Sequence, residues 1–184
     1  MAYTMLTGMH SGPWLPGPAP MRTDRPDMPG YGIGPADGGG GLLSWDWAVE
    51  RLEVARNYWV ATAARDGTPH LAAVWGVWLG GALYFSTGGQ SVKARNLTAS
   101  ARCSVAPENA AQSLVVQGVA ERVGDTAAVE FVRRAYIEKY GEGFPDVAVD
   151  PLFGIAPLVV IGIVSSAEEL AGSATRWQFT SIDE

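Results

Sequence analysis

Two tight-turn signals, Asp66-Gly67 and Gly80-Gly81, separate three runs of extended-chain composition and constrain this sequence more than any other feature. Tyr58 to Ala64 begins with aromatic and β-branched residues, Pro69 to Leu79 follows, and Ala82 to Thr87 completes the set. No segment long enough for a crossover helix lies between them, so the three strands run antiparallel as a meander. A doubly wound parallel sheet is thereby ruled out.

The flanking segments extend this pattern. Ser44 caps a predicted helix whose Trp45, Ala48, Val49, Leu52 and Ala55 share one face, and Asp125 caps another built on Ala128, Val132, Ala135 and Tyr136, with Lys139 near its C-terminal dipole. Ser91 to Ala99 has helical composition. Arg102 to Ala106, Ser113 to Val123, Leu158 to Val164 and Thr175 to Thr180 read as further strands, with a bulge or bend expected at Gly118. About seven strands and three helices favour a mainly β fold, an antiparallel barrel with peripheral helices.

Composition divides the 184 residues. Residues 1–41 hold 10 of the 23 Gly, 7 of the 12 Pro and all five Met but only five charged residues, too little apolar surface to offset ordering entropy. They are expected to form a mostly disordered N-terminal tail, with one domain over 42–184. That domain carries the other 27 charged residues, a sparse coat for a monomer, which favours a homodimer. The longest apolar stretch, Ile155 to Val164, is too short for a bilayer and contains Pro157, and Pro13, Pro16, Pro18 and Pro20 break any signal peptide, so no membrane association and a cytoplasmic location are expected. A net charge of −6 argues against nucleic acid as partner. One cysteine, Cys103, and two histidines, His10 and His70, leave no disulfide framework and little for a metal site.

The strongest chemical signal is Phe85-Ser86-Thr87-Gly88-Gly89-Gln90-Ser91-Val92-Lys93-Ala94-Arg95-Asn96-Leu97, a strand passing through glycines into a helix. Hydroxyls of Ser86, Thr87 and Ser91, the free N–H groups of the first helical turn and the cations Lys93 and Arg95 suit an anion such as a cofactor phosphate. A capped surface helix with solvated basic residues explains the same stretch. His70 reads either as a proton donor or ring contact, or as a strand-end histidine bonded to a neighbouring carbonyl. Trp75 and Trp78 with Val74 and Val77 put large residues on both strand faces, so at least one tryptophan should face a pocket or an interface. Trp177 beside Arg176 suits closure over a flat ligand, or a terminal strand docked on the barrel. No Rossmann, P-loop or G-x-S-x-G pattern is present.

In this order, Tyr58-Trp59-Val60-Ala61-Thr62, Asp66-Gly67-Thr68-Pro69-His70, Val74-Trp75-Gly76-Val77-Trp78, the Phe85 to Leu97 stretch, Val116-Gln117-Gly118-Val119-Ala120-Glu121 and Thr175-Arg176-Trp177-Gln178-Phe179 resemble the pyridoxamine 5'-phosphate oxidase-like family of flavin- and deazaflavin-dependent oxidoreductases. The resemblance covers roughly 42–180, with a possible start at Tyr31-Gly32-Ile33, and implies a split β-barrel, antiparallel and Greek-key-like. It further implies two cofactor sites at a homodimer interface. Ser86, Thr87, Ser91 and Lys93 would hold the phosphate. His70, Ala73, Val74 and Trp75 would lie along the ring, and Arg176 and Trp177 would reach the pocket of the same or the partner subunit.

The implied activity is hydride transfer between bound coenzyme F420 (a deazaflavin) or FMN and a small conjugated organic substrate, with the sequence resembling the actinobacterial deazaflavin-using branch. A cofactor that carries the chemistry explains the missing catalytic constellation. The alternative is a non-catalytic split barrel that sequesters a flavin or haem. Vitamin B6 oxidation is disfavoured, because the basic residues that would hold its substrate phosphate are not identifiable. Residues 142–151 read as a lid or a connector.

Overall fold

A computed structural model describes residues 17–31, 40–141, 143–166 and 168–179. Among these, nine strands form one antiparallel sheet. They are β1 (Arg22–Asp24), β2 (Asn57–Ala63), β3 (Pro69–Trp75), β4 (Val77–Leu79), β5 (Ala82–Ser86), β6 (Arg102–Pro107), β7 (Gln112–Arg122), β8 (Leu152–Val164) and β9 (Thr175–Gln178). Three helices, α1 (Trp45–Val54), α2 (Val92–Ala99) and α3 (Thr126–Tyr140), pack on the periphery, and a single turn spans Leu170–Ser173. Two are capped at their predicted residues, Ser44 accepting from Trp47 N at 3.1 Å and Asp125 from Ala128 N at 2.9 Å, and Ser91 caps the third by accepting from Ala94 N at 3.2 Å.

The strand order β3-β2-β6-β7-β8 continues on one side into β9 and β1, while the first residues of β8 pair instead with β5, which carries β4. Because β3 runs directly into β4, the sheet closes on itself through a backbone kink. That kink is Gly76, which divides the single run expected over Pro69 to Leu79. A Cβ there would stand 2.9 Å from Tyr84 O, and the backbone groups of Gly76 leave the ladder for α3: Tyr140 Oη accepts from its N–H at 2.9 Å, and Lys139 Nζ donates to its carbonyl at 3.0 Å.

One other boundary differs from expectation. Strand β8 starts at Leu152, six residues before its predicted start, although it contains Pro157. Pro157 lies opposite Gly118, where the β7–β8 register shifts between Gln117 and Gly118, and a bulge tolerates a residue that cannot donate to the ladder. The bulge expected at Gly118 is therefore present, and a side chain there would collide with the Ala156 carbonyl.

Within the Gly/Pro/Met-rich stretch expected to lack order, residues 1–16 and 32–39 lie outside those described, as do Glu142 and Thr180. Arg22–Asp24 in the same stretch instead pairs with β9. Its Asp24 is 4% exposed and accepts from Arg176 Nε at 2.7 Å and Nη2 at 2.9 Å, tertiary bonds that no local signal announces. The barrel interior is filled by Tyr58, Val60, Phe85, Leu114, Val116, Ile155, Val160 and Trp177, and a second cluster of Val77, Tyr84, Val132, Tyr136 and Leu152 seals α3 to the sheet.

Candidate cofactor site

Alternation along β3 decides which of its residues meet a ligand. Ala73 and Trp75 point outward, whereas Val74 points into the core, and Trp75 remains 47% exposed. Its indole stacks on Tyr140, and Trp59 on neighbouring β2, opposite Ala73, is also half-exposed. With Leu71 they leave an apolar outer face uncovered.

Beside this face, β5 passes through Gly88-Gly89 into α2. Ser86, Thr87, Gly88 and Lys93 from this passage join Ala73, Val74 and Trp75 around a cavity of about 230 Å³. Its remaining wall comes from Tyr136 of α3 and from Gly143, Pro145 and Asp150. The segment preceding β8 is thus a fixed wall: Ser86 Oγ donates to Asp150 O at 2.7 Å, and a Cβ on Gly89 would stand 3.1 Å from Val149 O. This wall was read from sequence only as a lid or connector, and Tyr136 only as helix core. Nothing in the local pattern marks either as facing a site.

The cavity suits an anion with a flat ring attached. Lys93 has no ion-pair partner among the described residues and stands on the first turn of α2, whose leading N–H groups lack intrahelical acceptors. Thr87 Oγ1 lies 3.1 Å from Ser91 Oγ, so Ser91 supports the cradle and caps the helix without itself lining the cavity. A flavin or deazaflavin phosphate fits this donor set, with the Trp75 face available to the ring. At about 230 Å³ the cavity is smaller than the roughly 300 Å³ at which ligand pockets usually begin, and it opens beside the exposed sheet face.

Three predicted residues are placed elsewhere. His70 lies on the opposite face of β3 from Ala73 and Trp75, paired with Thr62, and its Nδ1 is buried without a hydrogen-bond partner. The predicted strand was right, but a shift of one residue changes the face. Arg176 is held in its bidentate pair with Asp24, which raises its pKa further. Trp177 is fully buried, with Trp45 and Trp47 at centroid distances of 5.6 and 6.5 Å, so it cannot close over a ligand without unpacking the core. Two larger cavities, of about 660 and 920 Å³, contain none of the predicted residues.

At the kink, α3 delivers a half-buried cation that lines the larger cavity of about 920 Å³. Lys139 Nζ is 3.2 Å from Tyr58 Oη and 5.0 Å from the Tyr58 ring centroid, and burial brings its pKa down to about 8, against the pull of Glu108 and with Arg56 adding to the shift. Burial likewise pushes Cys103 up to about 12, which leaves that thiol protonated and inert. No group of three or more metal-ligating side chains occurs among the described residues. No helix among them is long and apolar enough to cross a membrane.

Closed antiparallel barrel, kinked third strand and the glycine-rich passage from β5 into α2 together define a split β-barrel. The sequence model for pyridoxamine 5'-phosphate oxidase matches residues 46–161, and the chain belongs to that family. A pyridoxamine 5'-phosphate oxidase-like protein from Listeria innocua superposes with a TM-score of 0.56 at 17% identity, over 65% of this chain and 98% of its own. A protein described as an F420 reductase superposes with a TM-score of 0.50 at 24% identity, over 60% of this chain and 93% of its own. A haem storage protein from Vibrio cholerae gives 0.54 at 19% identity, over 61% and 88%. These likenesses establish the fold. No curated protein matches the sequence.

Proposed function

We propose that this protein is an oxidoreductase that binds coenzyme F420 or FMN and passes a hydride to a small conjugated organic substrate. The observation that carries this reading is the convergence of Trp75, Ser86, Thr87 and Lys93, from two strands and a helix, on one cavity beside an uncovered aromatic face. When bound, such a cofactor supplies the hydride chemistry. Lys93 and the first turn of α2 would anchor its phosphate, and Trp75, kept in place by Tyr140, would orient its ring.

A second copy of the chain completes the site in this reading. Trp59, Leu71 and Trp75 are 45%, 61% and 47% exposed on adjoining strands, and a homodimer that buries this face would exclude water from the ring. Residues 42–184 then carry the cofactor-binding domain of a cytoplasmic enzyme. With His70 turned away from the cavity, substrate protonation falls to solvent.

Absorbance and fluorescence titrations with FMN and with coenzyme F420 test the binding. Anaerobic loading with reduced cofactor, followed by conjugated acceptors, tests the chemistry. Acceptor-dependent oxidation is expected; bound cofactor without turnover would replace this reading with that of a carrier. A haem carrier has less support, since the only described histidine faces away from the site.

A further inference from the structure

We propose that the Asp150 carboxylate determines which phosphate the cavity accepts, favouring the singly charged phosphodiester of a deazaflavin over the nearly doubly charged phosphate monoester of FMN. This rests on the cavity being the cofactor-phosphate site.

Among the described residues of one copy, Lys93 and Asp150 are the only charged side chains on its wall, and their formal charges cancel. Arg95, the other cation of α2, is exposed, donates to the Gln90 carbonyl and does not line the cavity. Asp150 is not a loose surface acid. Its N–H donates to Asp146 O at 2.8 Å, and its carbonyl is held by Ser86. A Cβ on Gly88, on the turn that would cradle the anion, would stand 3.8 Å from Asp150 Oδ1. Neither Lys93 nor Asp150 has an ion-pair partner among the described residues, so both charges act on whatever enters. A phosphate monoester carries roughly −1.5 to −2 at pH 7, and a diester carries one charge. The additional charge meets Asp150 with no second cation among the described wall residues to compensate it. At such range in a partly desolvated site, one unit charge changes affinity by about tenfold or more.

The test is an equilibrium titration of wild type, Asp150→Asn and Asp150→Glu with FMN, riboflavin, coenzyme F420 and its phosphate-free deazaflavin. The quantity read is the change that each substitution makes in the affinity gained from the phosphate-bearing group within each pair, the acidic tail beyond the F420 diester being common to wild type and variants. Asp150→Asn is expected to raise the FMN gain about tenfold and the deazaflavin gain about threefold or less, and Asp150→Glu to retain the wild-type pattern. Asp150→Ser serves equally if the Asn variant fails to fold, because neither substitution removes the carbonyl that Ser86 holds. Equal changes for both cofactors, or no change, overturn the proposal while leaving the cofactor reading intact. Failure of the wild type to bind any of the four ligands overturns both.

Discussion

The Trp75 indole lies flat against the Tyr140 ring, with centroids 4.9 Å apart and planes 5° apart. The same tyrosine accepts from Gly76 N at 2.9 Å and lies 2.9 Å from Gly76 O, so one residue at the end of α3 sets both the kink that closes the barrel and the aromatic wall of the candidate site. Fold and site therefore share a support.

Tyr140→Phe keeps the stack but leaves the Gly76 N–H without its acceptor. A loss of about 1–3 kcal/mol is expected from urea unfolding. Tyr140→Ala should cost more and also weaken cofactor binding, because Trp75 loses its neighbour.

Lys93→Ala should weaken FMN and F420 affinity at least about tenfold, equivalent to about 1.4 kcal/mol, with little change in stability. Titration of the purified variant checks this, and unaltered affinity for both would refute the phosphate assignment.

Leu71→Glu places a charge on the uncovered face at a position 61% exposed in the single chain. Sedimentation is expected to show a dimer for wild type and a monomer for the variant, with cofactor affinity falling in parallel. A wild-type monomer that binds cofactor fully would contradict the two-copy site.

Lys139 gives stability a pH dependence of definite sign. Its folded pKa of about 8 lies below the unfolded value of 10.5, so between these pH values the unfolded chain binds more protons and stability rises with pH. Below about 8 the burial penalty is present in full. Thermal unfolding of wild type minus Lys139→Met should show the wild type gaining from pH 8 to about 10. Above that, Tyr58 opposes the trend, because burial raises its pKa.

Gly118→Ala forces a methyl group against the Ala156 carbonyl at the β7 bulge. A destabilisation of about 1–3 kcal/mol is expected from denaturant titration, the cost typical of overpacking. A variant as stable as wild type would mean that the bulge can relax.

Where chemistry is local, sequence and structure agree closely. Asp66-Gly67 and Gly80-Gly81 make their turns with positive φ at all three glycines, and the two predicted caps, Ser44 and Asp125, hold their helices. The Ser86 to Lys93 passage could be read because hydroxyls, glycines and a helix start follow one another within eight residues. The six residues of β8 before Leu158 carry no such local signal, because a proline at 157 is tolerated there only through Gly118, a partner far along the chain.

Turn, cap and period-two patterns depend on neighbours in the chain, so most of the elements, the antiparallel meander and the strand-to-helix passage from Ser86 to Lys93 were legible in the amino-acid order alone. The face of β3 that His70 occupies, the place of Trp177 in the core, the capture of Arg176 by Asp24 and the meeting of Asp150 and Lys93 on one cavity wall became visible only in three dimensions. Each of these follows from strand register and barrel closure, which bring together residues whose separation in sequence carries no signal of their meeting.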